Sequence, residues 1–298
     1  LGAGMWPAWW LSNDDPGRGG EIDLIEWYGN GTWPSGTTVH ANPDGTAFEK
    51  VLVKNGVDAT SVEGASTLPY AIPAVTVDLH SPYGAVPVQW WRSVGSTHTA
   101  FSTETFLDEL AAAAGQDPLA MRRALLAKHP RHLAALELAA REAGWGTPLA
   151  PGKAGTKRAR GLAVHESFGT VVAEVVEVTV KPDRSFSVDR VVCAVECGVV
   201  VNPDVVRAQM EGGIGFGLSA ALYSAITVKD GVVEQSNFND YPVLRIDEMP
   251  SIDVHIVRSQ GKPSGVGEPA TPVIAPALAN ALYAATGQRL RRLPLKLG

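Results

Sequence analysis

The chain has 298 residues, of which 45% are hydrophobic, and carries a formal net charge of −6. That apolar content is ample for one large domain or two of ordinary size, and the acidic balance gives no electrostatic reason to bind nucleic acid or an anionic membrane. No run approaches the roughly 20 apolar residues that span a bilayer, and no basic-then-apolar leader opens the sequence. Residue 1 is a leucine that reads as lying inside an element already under way, so an N-terminal truncation is expected and localisation is unknown.

Residues 1–48 read as antiparallel strands without a helix, with turns at Asn13-Asp14-Asp15-Pro16-Gly17 and Asn42-Pro43-Asp44-Gly45. Five of the eight tryptophans fall in the first 33 residues, which marks a change of sequence style beyond that point. From about residue 98 the spacing predicts a helix with Phe101, Phe106, Leu107, Leu110 and Ala111 on one face and Gly115 as its stop. A second helix is expected after Asp117-Pro118, and a third from His132 to about Ala143. Residues 147–160 read as a loop. Strands are expected at Thr170–Val180 and Phe186–Val195, with both faces partly covered. A helix follows from Asp204 to about Tyr223, capped by Asn202 or Asp204. Its four glycines, Gly212, Gly213, Gly215 and Gly217, call for a ligand or another backbone close by, since each costs about 1 kcal/mol against alanine. A hairpin at Lys229-Asp230-Gly231, a strand at Ile252–Val257 and a helix from Pro272 to Ala285 complete the prediction.

Cys193 and Cys197 are the only cysteines. A Cys-x-x-x-Cys pair supplies too few ligands for an iron–sulfur cluster or a structural zinc, so no metal ligands are assigned and the pair is expected as buried, reduced thiols on a strand. The basic groups Lys153, Lys157, Arg158, Arg160 and Arg289, Arg291, Arg292, Lys296 read as solvated linker or tail positions.

Two motifs carry chemistry. In the first, Glu21-Ile22-Asp23-Leu24-Ile25-Glu26, the side chains of Glu21 and Asp23 share one face of a regular strand, and a bulge would bring Glu26 to the same side. Paired carboxylates of this kind suit retaining glycoside cleavage; three acids on a solvated strand face are the plainer alternative. With the flanks Gly4-Met5-Trp6-Pro7-Ala8-Trp9-Trp10-Leu11 and Thr38-Val39-His40-Ala41-Asn42-Pro43-Asp44-Gly45, residues 1–48 resemble the family 16 glycoside hydrolases, which are jelly-roll enzymes acting on β-glucans. The resemblance implies Glu21 as nucleophile, Glu26 as acid/base and Asp23 as the assisting carboxylate. The stretch is shorter than the roughly 100 residues of a small two-sheet sandwich, so glycosidase activity is not expected of it.

In the second motif, Ser264-Gly265-Val266-Gly267-Glu268-Pro269, glycines bracket one carboxylate just before a helix. A ligand-facing loop and a simple helix-initiating turn both fit that spacing. Together with Trp91-Arg92-Ser93-Val94-Gly95, Gly161–Gly169, Asn202-Pro203, Gln209-Met210-Glu211-Gly212-Gly213 and Asn237–Pro242, it makes residues 51–298 resemble the molybdenum-binding subunits of the xanthine dehydrogenase and aldehyde oxidase family, in particular the isoquinoline 1-oxidoreductase type. The resemblance implies a molybdopterin cofactor and hydroxylation of a small aromatic or aldehyde substrate with oxygen from water. Glu268 would be the general base. Gln209, Gly212, Gly213, Arg92 and Gly267 would contact the cofactor, with a cation packed on Trp90 or Trp91 as the alternative for Arg92. Iron–sulfur clusters would sit on a separate electron-transfer subunit. The Gly-Gln-Gly segment and glycine-phenylalanine loop that this family also uses are missing.

The expected fold class is α+β, or mixed α/β. A jelly-roll-derived β fragment over 1–48 precedes a molybdopterin-binding region over 49–298 that contains a helical subcluster. The functional expectation is an incomplete molybdenum hydroxylase; a β-glucan hydrolase and a catalytically silent chimera are the alternatives.

Overall fold

The computed structural model describes residues 59–79 and 91–298, and the backbone alone at 5–6, 26–27, 53–54 and 57–58. Two short antiparallel pairs form from the backbone-only segments, β1 (Met5–Trp6) with β2 (Glu26–Trp27) and β3 (Val53–Lys54) with β4 (Val57–Asp58). Glu21 and Asp23 lie outside the described residues. Glu26 is described only by the pairing of its backbone with Trp6.

A four-stranded mixed sheet organises the rest. Its strands are β5 (Lys157–Ser167), β6 (Thr170–Val180), β7 (Phe186–Glu196) and β10 (Ser251–Ile256), in the order β10-β7-β6-β5. The first three form an antiparallel meander, and β10 adds parallel to β7. Between them, β8 (Val228–Lys229) and β9 (Val232–Val233) make a small exposed hairpin. Its turn residues Asp230 and Gly231 have φ of 51° and 79°, the left-handed values that two-residue hairpin turns require.

Helices cover both faces. A four-residue helix, α1 (Ala59–Val62), precedes α2 (Ser96–Ala113), α3 (Pro118–Leu125) and α4 (Pro130–Glu142). Leu107, Leu119, Leu136 and Ala139 from α2, α3 and α4 pack on Leu162, Val164, Val171, Ala173, Val175 and Val192 of the sheet. The other face carries α5 (Pro203–Leu222) and α6 (Thr271–Thr286), whose Met210, Ile214, Leu218, Ile274 and Leu278 meet Ala163, Val172, Val176 and Cys193. Burial on both faces explains the near-continuous valine run of β6. The register shift at Glu177/Val178 skips Asp189 of β7, so it is β7 whose alternation changes phase, from Val188 to Val191 on the same face.

Three expectations need correction. The strand β5 begins at Lys157, inside the stretch expected as a loop, because all eleven of its residues pair with β6. Its basic residues are not free in solvent: Arg160 lies 3.0 Å from Glu177, and Arg158 lies 3.6 Å from both Glu177 and Asp189. In α2, Phe106 and Leu110 are exposed while Glu104 and Asp108 are buried. The reason is a buried polar hub rather than an apolar stripe. Glu104 accepts from Arg122 Nε at 2.9 Å, Tyr70 Oη at 2.6 Å and the Val164 N–H at 3.1 Å. Arg289 reaches Asp108 at 2.9 Å, which ties the C-terminal segment to the same cluster.

The helix starts follow local chemistry. Asp117 caps α3 by accepting from the Ala120 N–H at 2.9 Å, and Asn202 caps α5 by accepting from the Asp204 N–H at 3.0 Å. The glycines of α5 divide by direction. A Cβ on Gly217 would meet the Thr271 carbonyl oxygen at 2.5 Å and one on Gly213 would meet Ala270 at 3.0 Å, so these two admit the start of α6. A Cβ on Gly212 would meet nothing within 4 Å. Cys193 lies within β7 and Cys197 just after it; both are buried and free, as expected.

Candidate functional site

The turn before α2 and the loop before α6 come together beside α5. Ser93 and Val94 adopt φ of 76° and 49°, a left-handed conformation that is strained for a non-glycine residue and above all for a β-branched one. Contacts from other elements hold them there. The Ser93 N–H donates to Glu268 Oε1 at 2.9 Å, and Ser93 Oγ donates to the Glu268 carbonyl at 2.8 Å. The Gly95 N–H donates to Glu63 Oε1 at 2.9 Å, and a Cβ on Gly95 would lie 2.0 Å from the Thr60 carbonyl oxygen.

Arg92 joins the three elements. Its guanidinium donates to the Gly267 carbonyl through Nε at 2.9 Å and also through Nη2, to the Gly212 carbonyl at 3.3 Å and to Gln209 Oε1 at 3.4 Å. Burial pulls its pKa down while the neighbouring Glu268 carboxylate opposes that shift; an arginine stays charged under either influence. The sequence offered Trp90 or Trp91 as a packing partner for Arg92. Trp90 lies outside the described residues, and Arg92 sits 5.6 Å from the ring centroid of Phe216 instead. Trp91 stacks on that same ring at 4.8 Å, tilted by 35°.

Sequence-predicted residues therefore meet in space: Arg92, Gln209, Gly212, Gly267 and Glu268 form one cluster. Gly213 belongs to the seam with α6, where it is buried, whereas Gly212 presents an open backbone face. The Glu268 carboxylate is held by a turn far away in sequence, which sets it apart from an ordinary helix-initiating turn. Ser93 and the Trp91–Phe216 pair were not singled out as site residues. Helical period carried a signal for Phe216, since Gln209, Gly212 and Phe216 fall on one face of α5.

The end of the sheet supports this loop. Ser264 N–H donates to the Cys197 carbonyl at 3.1 Å, and Ser264 Oγ lies 2.6 Å from Thr170 Oγ1. Arg131 of α4 donates to the Gly169 carbonyl at 2.6 Å and pairs with Glu196, bracing the β5–β6 turn and the end of β7. His165 and His132 lie nearby and are buried; desolvation lowers the pKa of each to about 4. His165 is thus a neutral core histidine. Among the described residues, no group of three or more His, Cys, Asp or Glu is placed to hold a metal ion.

Two family models match separate stretches of the chain. The family described as molybdopterin cofactor-binding domain matches residues 96–250, and the XgeA-like catalytic GH16 domain matches residues 1–68. The chain is 39% identical over 228 residues to the beta subunit of the isoquinoline 1-oxidoreductase of Brevundimonas diminuta, covering 76% of this chain and 29% of that protein. It is 32% identical over 241 residues to a subunit of the nicotinate dehydrogenase of Pseudomonas putida, covering 76% of this chain and 20% of that one. The chain thus spans less than a third of the length of either relative. Among solved structures, quinoline 2-oxidoreductase from Pseudomonas putida 86 superposes with a TM-score of 0.60 at 12% identity, over 70% of this chain and 52% of that one. The aldehyde oxidoreductase of Desulfovibrio gigas gives 0.53 at 15% identity, over 68% and 40%. These two share the fold.

Proposed function

Because the chain belongs to the molybdopterin cofactor-binding family, we propose that it forms part of the large subunit of a molybdenum hydroxylase acting on an N-heteroaromatic or aldehyde carbon. The observation that carries this reading is the convergence of Glu268, Gln209 and Arg92 beside an open backbone face at Gly212. An amide side chain and exposed glycine backbone, held in place by a guanidinium, are a polar set that fits one wall of a pterin.

When bound, the cofactor supplies the two-electron oxidation that no side chain in the chain can perform. Gln209 and the backbone at Gly212 and Gly267 would hold it. Arg92 uses its donors on the Gly267 and Gly212 carbonyls and on Gln209, so its part is to fix the distance between α5 and the Glu268 loop. Ser93 immobilises Glu268 Oε1, leaving Oε2 to take a proton from the oxygen that adds to substrate. Trp91 and Phe216 would offer an apolar platform to a flat ring. The relatives carry the names of subunits, and the iron–sulfur clusters are assigned to a separate electron-transfer subunit.

The test is expression in a host that makes the cofactor, together with the electron-transfer subunit, followed by molybdenum analysis and turnover of an N-heteroaromatic substrate. Glu268→Gln is expected to retain molybdenum and to lose turnover by about 10²–10⁴-fold. A chain that never takes up molybdenum in that host refutes the reading.

The GH16 match over residues 1–68 favours a second reading for the N-terminal part, with the division of the chain placed near 48/49. Release of reducing sugar from β-glucan, abolished by Glu21→Gln, would establish a retaining glycosidase using Glu21, Asp23 and Glu26. With neither molybdenum uptake nor sugar release, a catalytically silent fusion is what remains.

A further inference from the structure

We propose that Glu174 is a neutral carboxylic acid in the folded protein and that its ionisation at rising pH loosens the seam between β6 and α6. The residue is 0% exposed, and neither carboxylate oxygen has a hydrogen-bond partner. An ionised carboxylate in that position would lose its hydration and gain nothing in return, whereas the neutral acid avoids most of that penalty. Burial accordingly pushes the carboxyl well above the ordinary glutamate range.

The register shows what surrounds it. Glu174 stands opposite Ala163 on β5 and Cys193 on β7. Strand alternation places it with Val172 and Val176, on the face covered by α5 and α6. The sequence of α6 contains no Asp, Glu, Lys, Arg or His; its one titratable group, Tyr283, stacks against the Arg289 guanidinium. On α5 the buried positions Val206, Met210, Gly213, Ile214, Gly217, Leu218 and Ala221 are all uncharged, while Asp204, Arg207 and Glu211 are exposed. On β7 the facing group is the Cys193 thiol, itself pushed up by burial and by Glu174. On β5 the nearest titratable residue is His165, two beyond Ala163, and its pKa is lowered to about 4. No countercharge is within reach from any of these elements.

The direction of the pH effect follows. In the unfolded chain a glutamate ionises near about 4.3, whereas in the folded chain Glu174 keeps its proton well above that. The associated stability is fully present below the unfolded value. It falls about tenfold in folding constant for each pH unit above it, until the folded carboxyl itself ionises. Because α6 begins three residues after Glu268, a change in its seating on the sheet is felt at the loop that holds that residue.

The experiment compares chemical denaturation of the wild-type chain and Glu174→Gln across pH 5–8. His165 and His132 are common to both proteins and cancel in the comparison. The ratio of folding constants, variant over wild type, is expected to rise about tenfold per pH unit over the lower part of this range. A ratio independent of pH overturns the proposal. Should the glutamine variant fail to fold, infrared spectra of the wild type with ¹³C-labelled glutamate decide instead. A protonated-carboxyl C=O stretch at neutral pH is expected, and its absence overturns the proposal. Hydrogen exchange over Thr271–Thr286 locates the effect: acceleration with pH beyond the intrinsic rate supports the seam, and no such acceleration overturns that part.

Discussion

Ser93 and Glu268, 175 residues apart in sequence, are joined twice, by the Ser93 N–H to the carboxylate at 2.9 Å and by Ser93 Oγ to the carbonyl at 2.8 Å. The two bonds pull in a single direction. They fix the carboxylate of a loop that has glycine on its N-terminal side and proline on the other, and they hold Ser93 at a φ of 76° that serine would otherwise leave.

That pairing separates two substitutions at one position. Ser93→Ala removes the hydroxyl bond and keeps the strained backbone, and is expected to cost about 1 kcal/mol. Ser93→Gly removes the same bond but adopts the left-handed φ freely, so it is expected to cost less than the alanine variant. Urea denaturation midpoints of the two proteins give the order directly.

The glycines of α5 supply a second contrast. Gly212→Ala adds a methyl group into open space and is expected to stabilise the chain by up to about 1 kcal/mol through helix propensity. Gly217→Ala places a Cβ 2.5 Å from the Thr271 carbonyl oxygen, and the clash is expected to exceed that gain, for a net loss of about 1–3 kcal/mol. Thermal unfolding of the pair reports opposite signs. If Gly212 also contacts cofactor, its alanine variant will be the more stable apoprotein and the poorer molybdenum binder.

Removing one partner from the buried hub is expected to be severe. Glu104→Ala leaves Arg122, itself 0% exposed, with only the more distant Asp108 carboxylate at 3.7 Å, and the expected loss is about 3 kcal/mol. Glu104→Gln keeps an acceptor for Tyr70 and is expected to fall between the alanine variant and the wild type. Denaturation curves of the three proteins check the order.

The two buried histidines set an acidic limit. Each has a folded pKa lowered to about 4, below the unfolded value near about 6.5. The unfolded chain therefore binds these protons first as pH falls. The stability they contribute is fully present above about 6.5 and is lost as pH drops from there through about 4. Ring-proton titration by NMR should give midpoints near the lowered value in the folded protein, and His165→Gln should weaken the acid dependence.

Periodic apolar spacing made the elements of the 98–298 region legible, and capping residues made their starts so: Asp117-Pro118 and Asn202-Pro203 open helices as read, and the Asp230-Gly231 hairpin turns as read. Spacing failed where polar side chains are buried. In α2 the core-facing residues include Glu104 and Asp108, whose partners Arg122 and Arg289 are remote in sequence, so hydropathy pointed to Phe106 and Leu110 instead. In β5 the run Lys157-Arg158-Ala159-Arg160 looked solvated because its acids, Glu177 on β6 and Asp189 on β7, come from other strands of the sheet. The site was legible as separate motifs. Their convergence through Arg92, and the partnership of Ser93 with Glu268, depend on tertiary contacts that no local pattern encodes.

Gly161 on β5 fixes how α6 is seated on the sheet. A Cβ at that position would lie 2.0 Å from Ala281 N and 2.4 Å from the Ala277 carbonyl oxygen, so α6 rests directly on the strand with no side chain between them. Mechanically this makes Gly161 a fulcrum under α6, with Glu268 just beyond the helix's N-terminal end and the Arg289 anchor on Asp108 just beyond the other. A bulkier residue at 161 would push on the helix just after Pro276, its interior proline. The displacement would be passed towards Glu268 across that proline, where a helix lacks one backbone hydrogen bond and bends most readily.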